Sequence, residues 1–119
     1  MIKRIFAVFV LGVFLQSCAS SNSPQLAGEW AGTLSVAGQN LRLVFHISES
    51  SSGYTTEIES VDQGGVKIPS NLEVDGNSLK FWVEAIQMEY NATVEGDVII
   101  GDFKQFGISV EDFKLERRA

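Results

Sequence analysis

The chain is predicted to be all-β, a small antiparallel up-and-down barrel of about eight to nine strands, and three observations lead there. Apolar residues alternate with polar ones at period two over most of the sequence after residue 26. Turn-forming residues return every eight to twelve positions, and no stretch carries the apolar period of an amphipathic helix. A meander of that many strands hides its edges best by closing on itself. Alternation records which face is buried and not whether the sheet closes, so a β-sandwich is the alternative.

The first strand places Trp30, Gly32, Leu34 and Val36 on one face, and Ala37-Gly38-Gln39-Asn40 turns the chain. Leu41, Leu43, Phe45 and Ile47 point inward from the second strand, and Ser50 to Gly53 form the next turn. Tyr54, Thr56 and Ile58 continue the pattern on a third. From Ser60 to Ser70 the sequence reads SVDQGGVKIPS, an acid, an amide and two glycines between apolar residues. Val66 and Ile68 precede Pro69, which suits a strand edge, and a short strand then ends at Asp75-Gly76-Asn77. Leu79, Phe81 and Val83 alternate with Lys80, Trp82 and Glu84, after which the apolar parity moves to Ile86, Met88, Tyr90, Ala92 and Val94. That shift requires a turn near Glu84 and Ala85. Glu95-Gly96-Asp97 makes a hairpin, Ile99, Gly101 and Phe103 begin a strand ending near Gln105, and Phe106-Gly107 breaks it. The last strand runs from Ile108 to Leu115, with a bulge at Glu111-Asp112 returning Phe113 and Leu115 to the inside. Roughly twenty large apolar side chains face inward, each stabilising by about 1.5 to 3 kcal/mol before the ordering cost. They suffice for a domain without disulfides and predict a largely filled barrel.

Ahead of this domain, MIKRIFAVFVLGVFLQSC sets Lys3 and Arg4 before an apolar run from Ile5 to Leu15, the pattern of a secretory signal. The run falls short of the roughly 20 residues that cross a bilayer. Leu15-Gln16-Ser17-Cys18 resembles the lipobox of bacterial lipoproteins. The resemblance implies that residues 1–17 are removed and that Cys18, the only cysteine, is acylated and anchors the chain to a membrane. Two acyl chains, at about 0.8 kcal/mol per buried CH₂, give stable attachment. Similarity to Gram-negative lipoproteins, with Ala19 and not aspartate after the cysteine, implies an outer-membrane lipoprotein facing the periplasm. Residues 18–25 then serve as lipid anchor and polar tether, and residues 26–119 as the barrel domain.

Without Lys3 and Arg4, the chain's nine basic against fifteen acidic residues become seven against fifteen. No basic stripe remains for a nucleic acid, and the acidic balance disfavours a grip on anionic headgroups. His46 is the only histidine, and alternation sends it outward beside Arg42 and Val44. No G-x-S-x-G elbow occurs, nothing positions a catalytic trio, and no metal or cofactor site is expected. The carboxylate pairs Glu57 and Glu59, Glu84 and Glu89, and Asp97 and Asp102 read as a solvated outer face. A noncatalytic protein is expected.

Gly28-Glu29-Trp30 resembles the G-x-W pattern of lipocalins and related calycin barrels. That resemblance implies that Trp30 plugs one end of the barrel beneath a basic residue near the carboxyl end, for which Arg117 is placed. A longer likeness spans nearly all of residues 26–117. Gly28-Glu29-Trp30-Ala31-Gly32-Thr33-Leu34, Leu41-Arg42-Leu43-Val44-Phe45, Asp62-Gln63-Gly64 with Ile68-Pro69, and Gly101-Asp102-Phe103-Lys104-Gln105 carry it. The chain is similar to the small all-β domain ahead of the catalytic domain in some secreted bacterial α/β-hydrolases. In those enzymes the chemistry belongs to the other domain.

Two readings of SVDQGGVKIPS stand side by side. In the first it is a corner, with Asp62 bonding its own backbone two residues on and Gly64 and Gly65 permitting positive φ. In the second, Asp62 and Gln63 line the barrel mouth, with Tyr90 and Gln105 adding polar tips. Trp82, sent outward between Lys80 and Glu84, is a candidate partner surface. Two function classes follow: a binding or accessory module for a protein partner, such as a separate hydrolase, or a carrier of a small apolar ligand or acyl chain. The carrier reading places its cavity near Tyr90, Ala92 and Gly101. The lipobox generates the first test: cells expressing the chain incorporate labelled palmitate into it, and the Cys18→Ser variant incorporates none.

Overall fold

The computed structural model describes residues 25–118. The lipobox, Cys18 and most of the tether lie outside them. Within them the chain is a closed barrel of eight antiparallel strands, each paired with the next and the last with the first. The strands are β1 (Gly28–Val36), β2 (Gln39–Ser50), β3 (Gly53–Ser60), β4 (Val66–Asp75), β5 (Ser78–Val83), β6 (Met88–Glu95), β7 (Val98–Gln105) and β8 (Ile108–Arg117). Short 3₁₀ turns occupy Val61–Gln63 and Glu84–Ile86. The barrel class is the predicted one, and the pairing of β1 with β8 removes the sandwich alternative.

The alternation survives because local chemistry repairs it wherever it would slip. After β5, Gln87 takes a left-handed conformation and donates its backbone N–H to the Glu84 carbonyl, which moves the inward set from Val83 to Met88. On β8, Glu111 and Asp112 oppose the single residue Asp102 of β7, and Asp112 has φ +58°. That extra residue is a β-bulge, and it turns Phe113 and Leu115 inward. The strand after SVDQGG differs from expectation, for Val66–Asp75 runs unbroken through Pro69. β4 pairs with β3 as far as Ser70 and with β5 from Asn71, so Pro69 stands where the strand changes partner and few ladder bonds are at stake.

Inward residues from all eight strands form one core, with Trp30, Phe45, Phe81, Tyr90, Ile99 and Leu115 fully buried. Val44 departs from the expected outer placement. It is buried on the outer face, where small Ala31 and long Glu59 flank it in register. Thr56 is buried beside Ile47 and Ser70 in register, and its hydroxyl has no partner among the described residues.

Closure is narrow. β1 meets β2 along nine residue pairs but meets β8 only at Trp30 with Arg117 and Ala31 with Glu116. Gly32 follows immediately, and a Cβ there would strike the Lys114 carbonyl oxygen and come within 2.9 Å of Leu115 Cδ2. The seam therefore depends on an absent side chain. Gly32→Ala is expected to lower stability by about 1–3 kcal/mol, the usual cost of overpacking. Urea denaturation checks this, and an unmoved midpoint would mean that the seam has slack.

Candidate functional site

The strand register sorts the interior into three tiers. At the end where β1 begins and β8 finishes, Trp30 is fully buried and donates its indole N–H to the Leu26 carbonyl at 2.9 Å. The Arg117 guanidinium lies 4.2 Å from the Trp30 ring centroid, bonds the Ala27 and Gln25 carbonyls, and pairs with Asp97 at 3.0 Å. A cation over an indole contributes about 0.5 to 2 kcal/mol. This end is shut by chemistry the chain keeps together.

The middle tier is aromatic. Phe45, Phe81, Tyr90, Phe103 and Phe113 meet with ring centroids from 5.0 to 6.2 Å apart. Tyr90 is fully buried, and its hydroxyl donates to the Phe113 carbonyl at 2.6 Å. It therefore does not reach the mouth as expected, because its partner lies on β8 within the aromatic tier. Ala92 and Gly101 leave no room either. A Cβ on Gly101 would collide with the Asn91 carbonyl oxygen and the Ala92 backbone, so small residues there let strands approach and do not line a cavity.

The opposite end is hollow. A cavity of about 240 Å³ opens between the two 3₁₀ turns and the β7–β8 hairpin, walled by Leu34, Leu43, Ile58, Ile68, Met88 and Phe103. Ser60, Gln63 and Gln105 supply its polar groups. Of the expected mouth residues, the structure brings Gln63 and Gln105 together and sends Asp62 elsewhere. Asp62 accepts from the Arg42 backbone N–H at 2.8 Å and from its guanidinium at 2.7 Å, on the outside of the barrel. These bonds hold the Asp62 carboxyl below the usual carboxylate range and raise Arg42. SVDQGGVKIPS thus meets each reading in part: Gly64 and Gly65 turn the corner with positive φ and Gln63 borders the mouth, while Asp62 bonds neither its own backbone two residues on nor the mouth and instead pins the corner to Arg42 of β2. Ser60 was not singled out from sequence, though it continues the inward parity of Thr56 and Ile58.

Outside the barrel, His46 sits between Glu59 at 2.8 Å and Glu29 at 3.4 Å, and Glu29 also reaches Arg118 at 3.5 Å. Both ring nitrogens face carboxylates. Among the described residues no hydroxyl hydrogen-bonds to His46, so the arrangement activates no nucleophile. Trp82 is half-buried, with Lys80 Nζ 5.6 Å from its ring centroid, and is less open than alternation implied. A shallow groove runs past it, bordered by Lys80, Glu84 and Gln87. Among the described residues no three His, Cys, Asp or Glu side chains gather as metal ligands.

No family model, curated protein or solved structure matches the chain. The lipocalin-like and hydrolase-domain likenesses therefore remain readings of the residues that carry them.

Tyr90 offers a pH test of the aromatic tier. Burial, and then the nearby Asp102 charge, push its phenol well above the ordinary value of about 10. The folded state thus holds a proton that the unfolded state releases above about pH 10. The associated stability is complete below that pH and is lost as pH rises through the folded value, at up to about 1.4 kcal/mol per unit. Urea midpoints are expected to fall between pH 9 and 11. Tyr90→Phe is expected to flatten that fall, while costing about 1 kcal/mol at pH 8 for the lost bond to Phe113.

Proposed function

We propose that the chain is a noncatalytic binding module of the bacterial cell envelope, held at the membrane through Cys18, whose working surface is the open end of the barrel. One observation supports this above the rest. The barrel is plugged by Trp30 and Arg117 at one end and filled with aromatic rings in the middle, yet its other end is an apolar cup with two carboxamides at the rim. Burying apolar surface drives a ligand into such a cup, and a few polar groups orient it.

Size restricts the guest. An apolar cavity of about 150 Å³ accommodates benzene, and drug-sized ligands fill about 300 to 1,000 Å³. At about 240 Å³ the cup suits one ring or a short alkyl segment and not a long acyl chain. A ligand is therefore gripped by one end.

A second reading rests on Trp82, whose half-exposed ring beside a groove could meet a protein partner such as a separate hydrolase. The two readings separate in one experiment. Every described strand lies within residues 25–118, so a chain beginning at Ala19 keeps the barrel whole. Native mass spectrometry of that chain, purified without detergent, is expected to show a stoichiometric small molecule that organic solvent releases. Ile68→Trp fills the cup and is expected to abolish the adduct with the fold retained by circular dichroism, whereas Trp82→Ala keeps it. Loss of a protein partner on Trp82→Ala, with no adduct in either chain, would instead favour the outer surface.

A further inference from the structure

The chemistry of the rim names the ligand class. Resting on the open-end reading above, we infer that the cup takes an uncharged carbonyl compound with two apolar arms, an ester or amide. The shorter arm lies inside, the carbonyl is held by Gln63 and Gln105, and the second arm lies along an apolar lip.

The carbonyl follows from how the amides are used. Ser60 Oγ donates to Gln63 Oε1 at 2.6 Å, which engages the oxygen and leaves the Gln63 NH₂ group as the half directed to a guest. Among the described residues neither that NH₂ group nor the Gln105 carboxamide has a hydrogen-bond partner, and both side chains border the cup. An amide N–H pair is satisfied by an acceptor oxygen, and a carbonyl is the acceptor that an apolar guest can carry at small desolvation cost.

Neutrality follows from what the wall lacks. None of the residues bordering the cup is Asp, Glu, Lys, Arg or His. The nearest acid in sequence, Asp62, is committed to Arg42 on the outside. A carboxylate head brought to this rim would shed water without gaining a counter-charge.

The second arm follows from the lip. Val66 stands opposite Ser60 in register and Ile108 opposite Gln105, so these two polar rim residues each have an apolar neighbour on the same inward face. Both are far from buried, Val66 at 52% exposure and Ile108 at 46%. Between Gln105 and Ile108 the hairpin turns on Phe106 and Gly107, with φ +48° and +80°. Such a turn favours Asn-Gly, and a bulky residue with positive φ is disfavoured. Phe106 nonetheless occupies the strained position and is 59% exposed. Three of the four large exposed apolar residues among the described residues thus stand at one opening, outside the cup.

Three ten-carbon probes test this on the chain beginning at Ala19 by isothermal titration at pH 7.5: hexyl butanoate, decanoate, which is the ionised form of its isomer decanoic acid, and dipentyl ether, which has no carbonyl. Hexyl butanoate is expected to bind at least tenfold more tightly than either. Gln63→Leu is expected to bring ester and ether within about twofold of each other while leaving the ether's affinity in place. Phe106→Asn relieves the turn and is expected to raise the melting temperature while weakening the ester several-fold. Equal or tighter binding of decanoate, or an ester preference that survives both Gln63→Leu and Gln105→Leu, would overturn the carbonyl assignment alone. Binding of none of the three would overturn the open-end reading itself.

Discussion

The whole architecture depends on a seam two residue pairs long. Seven of the eight strand junctions are consecutive hairpin or turn connections, whereas β1 and β8 come together without a covalent turn between them. What holds them is concentrated at Trp30 and Arg117. The guanidinium covers the indole, takes up carbonyls of the segment before β1, and reaches the Asp97 carboxylate beyond β6, while the Arg118 N–H bonds the Glu29 carbonyl. A lysine would keep the charge and lose the flat face and the fork of donors. If the seam opened, two long strand edges would be exposed to pairing with other chains.

Closure also explains why the barrel is hollow at one end. Short strands tilted around eight positions leave space that large side chains fill where they converge. Most of the buried aromatic residues fall on the middle register and on the plug, so apart from Phe103 the opposite rim is walled by non-aromatic residues and roofed by turns. Phe106, on the turn beside that rim, is 59% exposed and does not line the cup.

Alternation made most of this legible. The inward sets of β1, β2, β6 and β8, the bulge at Glu111 and Asp112, and the turn after Glu84 follow from period two and from where it breaks. The residues it misplaced failed for specific reasons. Val44 is outward by parity yet buried, because burial depends on the lengths of neighbours across strands. Tyr90 was expected at the mouth because a phenol is polar, but its hydroxyl is satisfied inside the barrel by the Phe113 carbonyl of β8. Asp62 and Gln63 were expected to share the mouth, but Arg42 draws Asp62 to the outside and only Gln63 borders the cup. Gln105, expected as a polar tip at the mouth, does border the cup.

The segment before β1 and the segment after β8 leave the barrel from the plugged end, side by side, where Arg117 and Arg118 bond the backbone of residues 25–29. Any attachment at either side therefore hangs from the back of the molecule and leaves the cup facing forward. The same layout would let this barrel be spliced beside a larger protein through two short connections, without unthreading a strand or covering the opening.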